Sequence, residues 1–327
     1  MKTDQYLPVK CRSIFAPYIA EYVVLKRTFG FSFNPETEVL NMFDKYCVDH
    51  NVVASVLSSE LLETWEIKRE NENSTTHQLR IRVVRGLSKY LHQKGFDSPH
   101  VFHPLPDINK DFVPHIFSKS DINNFMTGVD IVTREPKAVC PVRHLVMPVL
   151  FRTVYGCGLR INEALHMKKE DVDFANKAIR IMNAKGALDR IVIMSDSLSE
   201  ICYSYNTKSE IQNYESDYFF PAPDHGFYSH RAVYSVFREA LSYAGIPYRG
   251  RSKGPRIHDL RHSFAVHVLS NWQQQGKDIY VCLPILSDYL GHKTIYSTEK
   301  YLQLVPESYS QVTEPFQKRF PNIFPEV

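Results

Sequence analysis

The chain has 327 residues, enough for two domains of ordinary size and a sizeable core. Hydrophobic residues at 43% and charged residues at 23% describe a soluble globular protein and exclude a collagenous or wholly disordered chain. A net charge of +3 permits nucleic-acid binding without demanding it, so local clusters must carry any such argument.

The six cysteines (Cys11, Cys47, Cys140, Cys157, Cys202, Cys282) are dispersed, with no Cys-x-x-Cys pair. That spacing argues against a zinc ribbon or a disulfide framework and fits a reducing compartment. The first residues lack the apolar run of a signal peptide, and the apolar stretch from Leu145 to Leu159 is broken by Arg152 and too short to span a bilayer. A cytosolic protein is expected, with no membrane partner.

In chain order, Phe15, Ile19, Tyr22 and Val23 recur at helical spacing between Arg12 and Phe29, and Gly30 ends the element. Asn34-Pro35 reads as a cap and first helical residue, and Val39, Met42, Phe43 and Tyr46 carry a second stripe. A third helix is predicted around Leu61 to Ile67, with Trp65. The fourth runs from about Thr76 to Gln93: Leu79, Val83, Leu87 and Leu91 face one way, while Arg82, Arg85 and Lys89 share another face, with Arg80 and Lys94 nearby. Such a face is ordinarily just solvated, but on a DNA-binding protein it becomes a natural phosphate contact. Pro99, Pro104 and Pro106 then mark a linker, and the boundary is placed to give a helical domain over 1–109 and a larger one over 110–327.

In the larger domain Ser118 or Ser120 is expected to cap a helix starting near Asp121. Gly156-Cys157-Gly158-Leu159-Arg160-Ile161-Asn162-Glu163-Ala164-Leu165 predicts a tight turn into a helix, with Glu163 placed to orient Arg160 or cap the helix. Residues Ala178–Met182 and Arg190–Met194 read as two strands around a turn holding Lys185 and Gly186. Arg249, Arg251, Lys253, Arg256 and Arg261 meet a single acid, Asp259, in the densest basic run of the chain. They lead into a helix whose apolar stripe is Leu260, Phe264 and Val268, with His258 and Arg261 one turn apart. A guanidinium fork beside an imidazole suits a phosphate. Leu290-Gly291-His292 follows, and Tyr301 stands nine positions after His292. A phenol, with an unperturbed pKa of about 10, becomes a useful nucleophile only beside cations or a base.

His258-x-x-Arg261-His262, then Leu290-Gly291-His292 and Tyr301, with the Arg160–Glu163 box upstream, resembles the tyrosine recombinases of the phage integrase family. The resemblance runs through residues 110 to 305 and has two departures, Asn162 where a serine is common and Leu188 where a basic residue is frequent, which weakens DNA contact there but not the catalytic role. It implies a mostly α fold with a small antiparallel β-sheet (α+β), a helical N-terminal core-binding domain and a C-terminal catalytic domain. It also implies site-specific recombination of double-stranded DNA through a 3′-phosphotyrosyl intermediate, without cofactor or metal. Tyr301 would be the nucleophile, Arg160 and Arg261 the clamp on the non-bridging oxygens, and His292 a further donor. His258 would be the base toward Tyr301, and Lys185, on the hairpin, the acid toward the leaving oxygen; Glu163 supports Arg160. Four protomers would join two sites, starting from a monomer or weak oligomer. The 26 residues after Tyr301 would either fold back or dock on a neighbour. A bacterial, mobile-element origin and a place at the nucleoid follow from the same resemblance.

Three alternatives stand beside this reading. A type IB topoisomerase shares the chemistry but need not pair two sites, and a non-catalytic DNA-binding factor would have lost part of the set. A zinc hydrolase could use His258 and His262, with His267 near. Against it, Asp259 stands where the metalloprotease pattern needs Glu, and Arg261 would repel a cation. The expectation is no metal, with His262 structural.

Overall fold

Helical periodicity in the first third of the chain becomes four helices: α1 (Ala16–Thr28), α2 (Asn34–Asp49), α3 (Ser59–Glu66) and α4 (Ser74–Gln93). They build the first of two units, Met1–Phe112 and Val113–Val327, into which the chain divides in the computed structural model. Residues 6–53, 56–106, 114–134, 141–182, 189–247, 250 and 254–304 are described. The core of the first unit joins Phe15, Ile19 and Val23 to Leu40, Phe43, Trp65, Leu87 and Leu91. Two local readings change. Asn34 is itself helical, after Phe33 in a left-handed conformation (φ 53°), and its Oδ1 accepts from Leu7 N at 2.9 Å rather than capping the helix. Met42, placed in the buried stripe of α2, is 39% exposed.

The second unit opens with α5 (Lys119–Val132), where Ser118 Oγ accepts from Asp121 N and Asp121 returns the bond to Ser118 N, a capping box. After α5 come α6 (Arg143–Gly156) and α7 (Ile161–Leu165), then strands β1 (Val172–Asp173), β2 (Ala178–Ile181) and β3 (Arg190–Ile193). Helices α8 (Asp196–Asn206), α9 (Ser209–Gln212), α10 (His230–Tyr243), α11 (Ile257–Gln274), α12 (Ile279–Leu290) and α13 (Tyr296–Glu299) complete it. The sheet is antiparallel in the order β1-β2-β3, with Ile179 opposite Val192 and Ile181 opposite Arg190. Ile179, Ile181 and Val192 point inward, as the period of two requires.

Helix α6 is the buried centre: Val146, Met147, Leu150, Phe151 and Val154 are all within the core, against α5, α8 and α11. A second apolar cluster joins α11 to α12 through Ala265, Val266, Leu269, Leu283, Leu286 and Leu290, and includes the ring of Tyr301. Helix α11 spans both clusters: Leu260 faces the first, whereas Phe264 and Val268, predicted on the same stripe, are half-buried against the second. No helix among the described residues is long and apolar enough to cross a membrane.

Candidate active site

The site grows from the turn after α6. Gly158 has φ +58°, and a Cβ there would lie 2.4 Å from Phe264 and 3.0 Å from Leu290, so only glycine lets α11 and α12 close on this turn. Arg160 immediately precedes α7, and Glu163 lies in its first turn. The Glu163 carboxylate is saturated. Its Oε1 accepts from Arg160 Nη1 (2.7 Å) and Arg190 Nη1 (3.0 Å), and its Oε2 from Arg160 N (2.9 Å) and Arg190 Nη2 (2.9 Å). Burial works to raise this carboxyl, but the bonds and charge of Arg190, then those of Arg160, hold it down at about 2.

The C-terminus of α12 organises the arginines. A helix end leaves carbonyls without intrahelical partners and carries partial negative charge. Here three successive carbonyls each take a different guanidinium: Arg190 Nε donates to Tyr289 O (2.8 Å), Arg261 Nη2 to Leu290 O and Arg160 Nη2 to Gly291 O (3.1 Å). Arg261 Nη1 also donates to Gly158 O at 2.9 Å. Gly291 closes the helix in a left-handed conformation (φ +65°), with Arg190 atoms 2.9–3.1 Å from where a Cβ would sit. Arg261 is 1% exposed, and its Nε is buried with no hydrogen-bond partner among the described residues. Burial, then the like charge of Arg160, lowers its pKa to about 10, so it remains a cation near neutral pH.

Helix α13 and the short turn behind it bring Tyr301 to this cluster. Its ring is 4% exposed, and its hydroxyl is 2.8 Å from His262 Nδ1. Burial raises the phenol pKa, and Arg261 and Arg160 offset that only in part. His258, expected to face the phenol, instead stands edge-on to His262 with ring centroids 4.6 Å apart. Four residues make slightly more than one turn, so His262 continues the His258 face, and it is the ring that reaches Tyr301. His292 Nδ1 lies 2.7 Å from Thr298 Oγ1, and its ring stacks 6.1 Å from that of Tyr301. All three imidazoles are neutral at pH 7. Loss of water and the surrounding cations push His258 and His292 down to about 4, and desolvation with His258 and Arg256 pushes His262 down to about 3.

Of the expected catalytic residues, Arg160, His258, Arg261, His292 and Tyr301 therefore come together, with Glu163 between them; Lys185 lies outside the described residues. So do Arg249, Arg251 and Lys253 of the basic run. Arg256 is described: its backbone N donates to Asp259 Oδ2 at 2.8 Å and its side chain is 44% exposed. The basic face of α4 divides. Arg85 is held by Glu66 through two bonds of 2.6 Å, and Arg80 is buried on Glu72, so neither is a free surface charge. Arg82 is 62% exposed, with Glu36 3.9 Å away, and Lys89 is exposed. Among the described residues no three His, Cys, Asp or Glu are placed to share a metal ion. Arg190 and Thr298, which had no site role in the sequence reading, also join this cluster. Arg190 had a signal, as the lone cation opening a strand opposite Ile181.

Residues 120–307, more than half of the chain, match the phage integrase family. An integrase/recombinase of Sinorhizobium fredii, y4rB, is 27% identical over 94% of this chain and 98% of its own length. Tyrosine recombinase XerA of Thermococcus onnurineus is 25% identical over 76% and 78%. Among solved structures, the XerH site-specific recombinase in a post-cleavage complex with difH superposes with a TM-score of 0.63 at 19% identity, covering 87% of this chain and 79% of that one. The Tn1549 transposon integrase does so at 0.58 and 14%, over 87% and 94%. The chain belongs to the phage integrase family and is a tyrosine-type site-specific recombinase, an enzyme that breaks and rejoins DNA strands.

Proposed function

We propose that Tyr301 attacks the scissile phosphate of double-stranded DNA. A bond forms between the phenolic oxygen and phosphorus as the bond to the 5′-oxygen breaks, leaving a 3′-phosphotyrosyl link and a 5′-hydroxyl. The 5′-hydroxyl of a second strand then attacks that link and restores the phenol, so the phosphodiester is exchanged without water or metal. The observation that carries this reading is the gathering of Arg160, Arg261, His258, His262 and His292 around one buried phenol.

Three guanidiniums and one carboxylate leave the cluster with two positive charges. A phosphodiester attacked by a phenolate passes through a dianion, so fixed charge meets developing charge where water is excluded. Arg261 directs its unpartnered Nε–H at a non-bridging oxygen, and Arg160 binds the other. The His292 tautomer this role requires carries its proton on Nε2 for the same oxyanion, with Nδ1 accepting from Thr298 Oγ1. His262 takes the phenol proton directly, and His258 behind it passes the proton outward. A bound phosphate adds the negative charge that lifts both imidazoles from their low resting values. Lys185 supplies the proton to the leaving 5′-oxygen.

Residues 1–109 serve as the core-binding domain, with Arg82 and Lys89 on phosphates, and Arg249, Arg251, Lys253 and Arg256 draw DNA to the catalytic unit. The assembly is a homo-tetramer on two sites, formed from a monomer or weak oligomer; a lambda integrase of similar fold forms a tetramer on a Holliday junction. Its task is integration, excision or resolution of a mobile element at a bacterial nucleoid. Two duplexes carrying a site selected by its binding to the protein from a random DNA library, one duplex labelled, test this: recombinant strands of hybrid length are expected. Relaxation of supercoiled plasmid without joining would make the protein a topoisomerase.

A further inference from the structure

We propose that Arg190, the first residue of β3, is a positioning residue that occupies the Glu163 carboxylate so that Arg160 keeps a free edge for the DNA phosphate. This rests on the assignment of Arg160 to that phosphate. Arg190 is distinct in its commitments: its side chain is 8% exposed, both Nη atoms bind Glu163 (3.0 and 2.9 Å), and Nε binds Tyr289 O (2.8 Å). Each of its three guanidinium nitrogens thus already bonds within the protein. Arg160, by contrast, gives one Nη to Glu163 and one to Gly291 O and keeps 32% of its side chain exposed.

A buried carboxylate demands cations. With Arg190 in place, Glu163 needs only one side-chain bond from Arg160. With Arg190 gone, the same carboxylate would draw both Nη groups of Arg160 into a bidentate pair, turning the fork off Gly291 O and away from the phosphate. Arg190 also ties the strand that closes the hairpin turn to the end of α12, two residues before His292. The hairpin, the arginine turn and the His292 turn therefore share one bolt.

The test is single-turnover formation of the covalent adduct by the full chain at saturating DNA, on a nicked duplex carrying the selected site. Arg190→Met should slow cleavage at least tenfold while changing DNA affinity less than threefold, and Arg190→Lys should fall between. A structural role predicts no rescue by removing a second charge. Occupancy of Glu163 predicts that Arg190→Met costs severalfold less in a Glu163→Gln background than in wild type. Equal penalties in the two backgrounds, or wild-type cleavage by Arg190→Met, would overturn the proposal. If Arg190→Met does not fold, the same comparison made with Arg190→Lys decides it. Arg160→Ala separates the two ideas: wild-type cleavage by that variant would sink the assignment of Arg160 itself, whereas a large loss beside an inert Arg190→Met would sink only this inference.

Discussion

At the scale of single residues, the imidazole that touches the Tyr301 hydroxyl is the one placed to take its proton. His262, not His258, lies 2.8 Å from the Tyr301 hydroxyl. His262→Asn should therefore slow cleavage on the order of 10²-fold with DNA binding preserved, because a group that handles the proton in the transition state contributes about that much. His258→Asn should cost less, and rapid-quench kinetics at saturating DNA would rank them; the opposite order would return the direct role to His258. The same residues set a pH dependence of stability. The three imidazoles have folded pKa values of about 3 to 4, below the unfolded value of about 6.5. The unfolded chain then binds more protons between those limits, so stability is full above pH 6.5 and is lost as pH falls toward 4. Glu163, held at about 2, extends the loss below pH 4.5. Thermal melting from pH 7 to 4 should show a falling midpoint, with a shallower slope in His262→Asn.

At the scale of elements, the end of α12 is the critical joint, since the carbonyls of Tyr289, Leu290 and Gly291 hold three arginines. Gly291→Ala puts a side chain on a left-handed residue, which costs about 1–2 kcal/mol, and drives Cβ into Arg190 at 2.9–3.1 Å. The melting midpoint should drop by a few degrees, and cleavage should fall by a larger factor than the stability loss explains. A stability loss with full cleavage would show that the joint does not position the arginines. Much of this was legible in the chain. Gly158-Leu159-Arg160 and Leu290-Gly291-His292 announce their turns because glycine takes a left-handed backbone without strain, and the cap of α5 fell on Ser118, one of the two serines expected there. The convergence of carbonyls was not legible, because backbone acceptors leave no trace in residue type. Arg190 was read as the start of a strand and as the residue five positions after Lys185 in the hairpin pattern, since period-two alternation says which face a residue takes and not which carboxylate awaits it. The contact of His262 was not legible for a related reason: i, i+4 spacing shows a shared face, but not which member reaches a tyrosine 39 residues away.

At the scale of the whole molecule, binding should be driven by phosphate contacts and so fall steeply with salt. The structure divides the candidate cations by what already holds them. Arg82→Ala should weaken DNA binding and reduce the slope of log K against log salt by about 1, as one lost phosphate contact requires. Arg85→Ala should mainly destabilise the first unit, by about 1–3 kcal/mol, because it strands the Glu66 carboxylate that now accepts two bonds of 2.6 Å. Titrations at several salt concentrations, with melting curves of the same variants, check both; an Arg85→Ala chain of unchanged stability and reduced salt slope would reverse the division.

The central claim is that one buried phenol becomes joined to DNA. The measurement is a denaturing gel and peptide mass analysis of the adduct formed on a nicked suicide duplex in the presence of chelator. The account predicts a protein–DNA link at the 3′-phosphate carried by the peptide containing Tyr301, and no link in Tyr301→Phe. A link that persists in Tyr301→Phe, or one that disappears with chelator in the wild type, would contradict it.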